Sequence, residues 1–521
     1  MQFLSVGFLL FAALLLLIYY LIPGKIQWVL LLAASYAFYL WAGIDYLLFI
    51  LLTTGSTWLT TAYIARELEK QEKYLALNKS VLTREEKKAY KATVKKRCKL
   101  PMLICLVLNF SILALCKCCL VDPFSSAVQE GCLSFLTLGL PLGISFYMFQ
   151  SMGYVLDVYR GSTKAEKNPL KLALFVSYFP QLIQGPISKF SQLAPQLYTS
   201  HKFDRQQFSF GLQRMLWGYF KKLVVADRIA VAVIALRGPE YTGVGFFLLT
   251  IFYAVQIYAD FTGGIDMVLG LSHTLGIRLT ENFHRPFFSK NVAEYWRRWH
   301  ISLGEWMKNY IFNPISVSSA MLKFGKRTRT KFGNFGKRLP IYVASFATWF
   351  VTGIWHGITP NFILWGMMNC LIIVISEELE PVYKSFHNRF HLKEKAWYSG
   401  FEMLRTFILM NLIRIVDFFP NLGDYFRRMG SLITTFNLHI LWDGTMLSLG
   451  LTGLDYGILL FACTVMLTVS LIEEKKGSIL EFLWNKDILR YVLVFTLLVV
   501  TLLLGRYGIG YNASNFIYNQ F

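Results

Sequence analysis

The sequence predicts an all-α polytopic membrane protein, a bundle of about eleven transmembrane helices interrupted by re-entrant and amphipathic segments. Three observations carry this. Of 521 residues, 55% are hydrophobic and 16% aromatic, and the mean hydropathy of +0.45 marks more apolar surface than a soluble chain can bury. Apolar stretches close to the length that crosses about 30 Å of hydrocarbon recur near 3–22, 26–43, 46–65, 101–121, 133–155, 170–188, 243–270, 340–358, 360–378, 402–419, 447–472 and 488–505. One or two of these are expected to be re-entrant. The charge pattern is the third: residues 66–100 hold twelve Lys or Arg against five acids, and 321–338 hold seven with no acid. Positive clusters between spans mark the cytoplasmic side.

In chain order, 1–65 reads as a transmembrane scaffold. No basic residue precedes Phe3, and no small-residue cleavage site follows Ile22 before the next span, so the first span is an anchor rather than a cleaved signal. Three spans before the first basic cluster place the N-terminus outside. Residues 66–100, with Glu and Lys mixed at short spacing, form a basic cytoplasmic loop, as a helix or helix pair. A catalytic core is expected over 101–420 and further transmembrane helices over 421–521. Within the core, Pro180, Gly185, Pro186 and Pro195 interrupt an apolar run, which suits a re-entrant or funnel-lining element better than a spanning helix. Residues 206–236 read as an amphipathic helix with a basic face.

The net charge of +21 suggests nucleic acid at first sight, but its distribution fits topology signals and contacts with anionic membrane lipid; no nucleic-acid partner is expected. A lesser reading lets 321–338 attract a phosphate-bearing donor. Cys116, Cys118 and Cys119, at the end of a span, are half a metal site at most, so no metal is expected. P-loop, nucleophile-elbow and H-E-x-x-H patterns are all missing, and GRYGIGYN follows no strand, so no bound cofactor is expected.

The polar exceptions inside apolar runs carry the chemistry. In WFVTGIWHGITPNFILWG, residues 349–366, His356 is surrounded by apolar side chains and followed by Gly357 and Pro360, where the helix should break and free backbone groups. A histidine hydrogen-bonded across a helix interface is the plain alternative. Asp260 and Asp266 are costly unless capping, paired or hydrated. Asn291 with Glu294 fits a helix start, after which Tyr295, Trp299, Trp306 and Tyr310 share one face of an interfacial amphipathic helix. On it, His300 beside Arg297 and Arg298 also fits an ordinary solvated face. His300 precedes the basic cluster and belongs near the cytoplasm. His356 lies 18 residues past Arg338, roughly 27 Å of helix, hence deep and towards the outer side. This suggests a donor arriving near His300 and its cargo handed over at His356.

YADFTGGIDMVLGLS, ENFHRPFFSKNVAEYWRRWHISL and TGIWHGITPNFILWG, in this order, resemble the membrane-bound O-acyltransferase family, in its bacterial branch of alginate O-acetyltransferase and D-alanyl transfer membrane subunits. SYFPQLIQGPIS and the terminal FIYNQF resemble that branch too. Gly264 and His284 depart from it, standing where an aromatic and an amide or small polar residue are usual. The resemblance implies helices around a central funnel, His356 as the essential residue and His300 as the second polar position. Trp355, Asp260, Tyr258, Arg297, Arg298, Trp299 and Asn361 become candidates for lining the substrate path. It implies a bacterial cell membrane location and a cytosolic thioester donor, acetyl-CoA or an acyl carrier. It also implies an extracytoplasmic partner transferase and a polysaccharide or teichoic acid acceptor.

The chemistry expected is acyl transfer, most readily of acetyl, to a hydroxyl, with neutral His356 as general base and an arginine or freed backbone N–H groups on the oxyanion. Transient acylation of Ser145, Tyr147 or Tyr258 is a lesser route. D-alanyl transfer to teichoic acids is the alternative substrate reading. A secondary transporter or polymer-export component is the alternative of another class, which predicts inverted repeats that the two halves of the sequence do not display. A non-catalytic envelope scaffold explains the aromatics but not His356.

Overall fold

The computed structural model describes residues 3–118 and 141–508. Among these there are helices and one isolated backbone bridge, Phe283 with Trp299, but no strand. Cys119, the start of the span expected at 133–155 and the terminal FIYNQF lie outside the described residues. Six described helices are long and apolar enough to cross a membrane, and Val6–Leu21 is a shorter apolar one. The chain forms two compact units.

The first unit runs to Gly211 and includes Leu271–Thr280. It contains α1 (Val6–Leu21), α2 (Gln27–Ala42), α3 (Leu47–Leu77), α4 (Arg84–Cys118) and α5 (Ile144–Arg160). The short α6 (Pro169–Ser177), α7 (Phe179–Gln184) and α8 (Phe190–Tyr198) follow. Phe8, Phe38 and Phe179 meet edge-on or tilted in its core. The helices α3 and α4, of 31 and 35 residues, are longer than a bilayer requires, so their charged ends form the helix pair expected at 66–100. Thr83 and Glu86 cap the second of them reciprocally, each side chain accepting the other's backbone N–H.

The proline-rich stretch is broken as expected. Tyr178 leaves helical geometry (ψ 102) between α6 and α7, and the freed Phe179 N–H donates to Ser35 Oγ at 3.2 Å. Where the N-terminal end of α5 meets α7, Gly143 (φ 68) is required, since a Cβ there would fall 2.2 Å from the Leu182 carbonyl oxygen.

The second unit, Leu212–Gly270 and from Glu281 on, holds most of the chemistry. A continuous helical stretch comprises α9 (Arg205–Tyr219), a wider π-helical turn (Phe220–Ala226) and α10 (Asp227–Ala235). Then come α11 (Val244–Thr274), α12 (Val292–Arg298), α13 (Ile301–Met307), α14 (Ser319–His356), α15 (Pro360–Glu378), α16 (Ala396–Arg414), α17 (Gly453–Lys476) and α18 (Asp487–Leu504).

Two expectations are corrected. The basic face of 206–236 does not look outward: Lys221 and Lys222 are buried, and their charges meet the carboxylates of α11. Nor do residues 291–312 form one interfacial helix. Asn291 caps the start as expected, accepting from the Glu294 N–H at 2.8 Å, but the helix stops after Arg298 and restarts at Ile301. Trp299 is extended and His300 left-handed (φ 47), which turns Tyr295, Trp299 and Trp306 into the core instead of along an exposed stripe.

Candidate active site

His356 is the last residue of α14. Gly357 is extended, Thr359 stands just before the next helix in extended geometry, and Pro360 fills the first position of α15, where its missing N–H has no partner to lose. The two helices cross closely because Gly353 and Gly366 meet. A Cβ on Gly353 would lie 2.7 Å from the Phe362 carbonyl oxygen, and one on Gly366 would lie 2.5 Å from that of Trp349. This crossing holds the WHG turn. The His356 ring is half-buried and sits edge-on to two indoles, Trp355 at 4.7 Å and Trp365 at 4.8 Å between centroids. Trp296 backs this wall, 5.6 Å from Trp365, with its Nε1 donating to Asn369 Oδ1 at 3.0 Å.

His300 is 2% exposed, so the solvated-face reading is overturned. Its ring packs against Phe261 of α11 at 5.0 Å and against Trp355 at 5.9 Å. Nδ1 faces Asn282 Oδ1 at 3.3 Å, and the same oxygen accepts from the N–H (3.1 Å) and hydroxyl (3.0 Å) of Ser302. A carbonyl oxygen can only accept, so the proton of the neutral ring is on Nδ1. Burial, with help from the Arg414 guanidinium, holds this imidazole well below the ordinary histidine range.

The two histidines therefore share Trp355 as a neighbour. The separation inferred from helix length, with His300 at the cytoplasmic edge and His356 across the membrane, is corrected. That count measured α14 alone, and the chain before α14 brings His300 back to the end at which His356 lies.

Around them, Trp299 stacks on Tyr295 at 5.6 Å and carries the Arg414 guanidinium over its face at 4.3 Å. Tyr258 lies 4.7 Å from Phe287 and 6.4 Å from Trp299. Asn361 donates to the Asp417 carbonyl at 3.0 Å. Asp260 is held by Lys222 at 2.5 Å, which also pairs with Asp227 at 2.8 Å. Asp266 is held likewise by Lys221 (2.5 Å) and Arg214 (2.9 Å). Both carboxylates thus fix α11, whose Phe261 supports His300.

Arg297 is exposed, and Arg298 pairs with Glu294 and Glu474. Neither contacts the imidazoles. Ser145 and Tyr147 are buried within the first unit. No cluster of His, Cys, Asp or Glu among the described residues could hold a metal. The sequence reading missed Asn282, Trp365 and Arg414. The last had a usable signal, an arginine inside the apolar run LMNLIRIVDFF.

The family model described as MBOAT, membrane-bound O-acyltransferase, matches residues 166–416. A protein of Azotobacter vinelandii named "Probable alginate O-acetylase" is 34% identical over 72% of this chain and 68% of its own length. One of Pseudomonas syringae pv. tomato, with the same name, is 33% identical over 69% of the chain and 63% of its own. A teichoic acid D-alanyltransferase of Bacillus subtilis is 26% identical over 51% and 65%. The chain thus spans about two thirds of the length of the relatives it matches. It belongs to the membrane-bound O-acyltransferase family.

Proposed function

We propose that the chain moves an acyl group, acetyl in the first instance, from a cytosolic thioester across the membrane for O-acylation of an extracellular polysaccharide or cell-wall polymer. The observation that carries this reading is His356 at a helix break, half-buried between Trp355 and Trp365, with the neutral His300 on the other contact of Trp355. In the transfer the hydroxyl oxygen attacks the thioester carbonyl while His356 takes the hydroxyl proton. The carbon–sulfur bond then breaks, and the imidazolium returns that proton to the departing thiolate. His300 orients the reacting groups from the buried side, and Arg414 keeps positive charge beside it. The indoles exclude water that would hydrolyse the thioester.

The donor is acetyl-CoA or an acyl-carrier thioester, and a partner transferase outside the cell is the natural recipient of the acyl group. The same reading places the chain in a bacterial cell membrane with its N-terminus outside, and with about eleven spans around a central funnel that Trp355, Tyr258, Trp299 and Asn361 help to line. The names of the relatives above support polymer O-acetylation, and the teichoic acid relative supports D-alanyl transfer as a second reading. Mild alkaline release of ester-linked groups from the envelope separates them, comparing the native chain with His356→Ala. Loss of acetate bears out the first reading and loss of D-alanine the second. Unchanged ester content removes His356 from the chemistry.

A further inference from the structure

Helix α14 doubles back on itself. At Gly333 the backbone takes φ 56 and ψ −132, and the arms before and after it fold together as a hairpin. Thr328 Oγ1 donates across to the Gly336 carbonyl at 2.6 Å, and Gly336 leaves room for no Cβ, since one would lie 2.0 Å from the Thr328 carbonyl oxygen. Gly325 meets Pro340 in the same way. The crossing makes 319–338 a built element rather than a loose basic loop.

Its surface is one-sided in charge. Lys323, Lys326, Arg327, Arg329, Lys331 and Lys337 are exposed, and no acid occurs between 319 and 338. Of the hairpin's basic residues, Arg338 alone pairs with a carboxylate among the described residues, that of Glu378. Next to these charges Phe332, at the bend, is 58% exposed and Phe335 is 46% exposed. Exposed phenyl rings beside unpaired cations are costly in water and favourable where acyl chains begin below anionic headgroups. A soluble phosphate needs a converging cradle, whereas here the cations are spread along both arms.

We propose that the hairpin 319–338 is a docking finger for the anionic phospholipid surface, its cations on the headgroups and Phe332 and Phe335 inserted between them. The arm that leaves it, 334–356, is about 33 Å long at 1.5 Å per residue, close to the hydrocarbon thickness, and it ends at His356. A finger held at the headgroups sets the depth of that end.

The test uses the full chain in neutral detergent, following the thermal unfolding midpoint as phosphatidylglycerol, phosphatidylcholine or inorganic phosphate is added. The expected result is a rise of a few degrees with phosphatidylglycerol, weakened by salt, and little with the other two. The variant K326Q/R327Q/R329Q/K331Q should lose at least half of that rise, and F332S, which leaves every charge in place, should lose part of it. A control variant in the other basic region, K87Q/K88Q/K91Q/K95Q, should keep more of the rise than the hairpin variant does. An unaltered response in both hairpin variants, or an equal response to inorganic phosphate, overturns the proposal. Neither result bears on the role of His356, which the ester-release experiment reads separately.

Discussion

The Asn361 carboxamide donates from Nδ2 to the backbone carbonyl of Asp417 at 3.0 Å, which ties the first turn after the WHG bend to the segment following Arg414. Asn361 is 2% exposed, and Asp417 in turn accepts at Oδ1 from the Tyr253 hydroxyl at 2.9 Å. The His356 turn and the segment carrying the arginine beside His300 are thus joined through Asn361 and Asp417, and Tyr253 of α11 holds the second of these.

Asn361→Leu keeps the volume but leaves that carbonyl without its donor. An unmade buried hydrogen bond costs about 1–3 kcal/mol, so the thermal midpoint should fall. Because the bond positions a turn and contacts no reacting atom, kcat should fall more than KM rises. A variant with native kcat at reduced stability would assign Asn361 to the scaffold.

The two histidines should separate by type of defect. His356→Gln removes a half-buried base and should lower transfer by about 10²–10⁴ with the unfolding midpoint nearly unchanged. His300→Ala strips a buried ring from Phe261 and Trp355, so it should lower both activity and midpoint. Equal losses of stability in the two variants would contradict the different burial of the two rings.

His300 also predicts a pH dependence of stability. The folded state holds its imidazole neutral through burial and the nearby Arg414, while the unfolded chain takes up a proton near pH 6.5, a value of about 6.5 being usual for histidine. The unfolded state therefore binds more protons below that value. Stability is fully present above about 6.5 and is lost as pH falls towards the depressed folded value, by up to about 1.4 kcal/mol per unit. His300→Asn, a residue that tolerates the left-handed backbone, does not titrate. The stability advantage of the native chain over this variant should shrink with acidification, as followed by unfolding midpoints. An advantage that stays constant with pH would show that the folded ring takes up protons as readily as the unfolded one.

Lys222 stands between Asp260 and Asp227, nearly inaccessible. Removing one partner of such a group leaves a buried unpaired charge and costs about 3–5 kcal/mol. Lys222→Met should approach that loss, and Lys222→Met with Asp260→Leu should recover part of it. Additive losses in the double-mutant cycle would show that water reaches the pair.

Much of this was legible in the residues. Gly357 and Pro360 announce the break at His356, Asn291 with Glu294 announces the start of α12, and Pro180 to Pro195 announce the broken segment. Each is a local signal, set by φ limits or by a cap within one turn. What failed was non-local. Tryptophans at helical spacing read as an exposed stripe because nothing nearby in sequence shows that His300 takes a left-handed backbone. The inward turn of Lys221 and Lys222 depended on carboxylates some forty positions away. Arg414 was overlooked because its partners, Trp299 and His300, lie more than a hundred residues earlier.

The wider turn at Phe220–Ala226 has a consequence for what this chain tolerates. Neighbouring residues on a regular α-helix point about 100° apart, yet Lys221 and Lys222 both reach carboxylates on the single helix α11. A helix carrying one residue more per turn behaves as a stored insertion. Deleting a single apolar position within it, Val224 for instance, tightens the turn and swings one ammonium away from its carboxylate while leaving every charged residue in the chain. Substitutions that keep the length spare this arrangement, and a change of length by one does not, so the segment reads its own residue count.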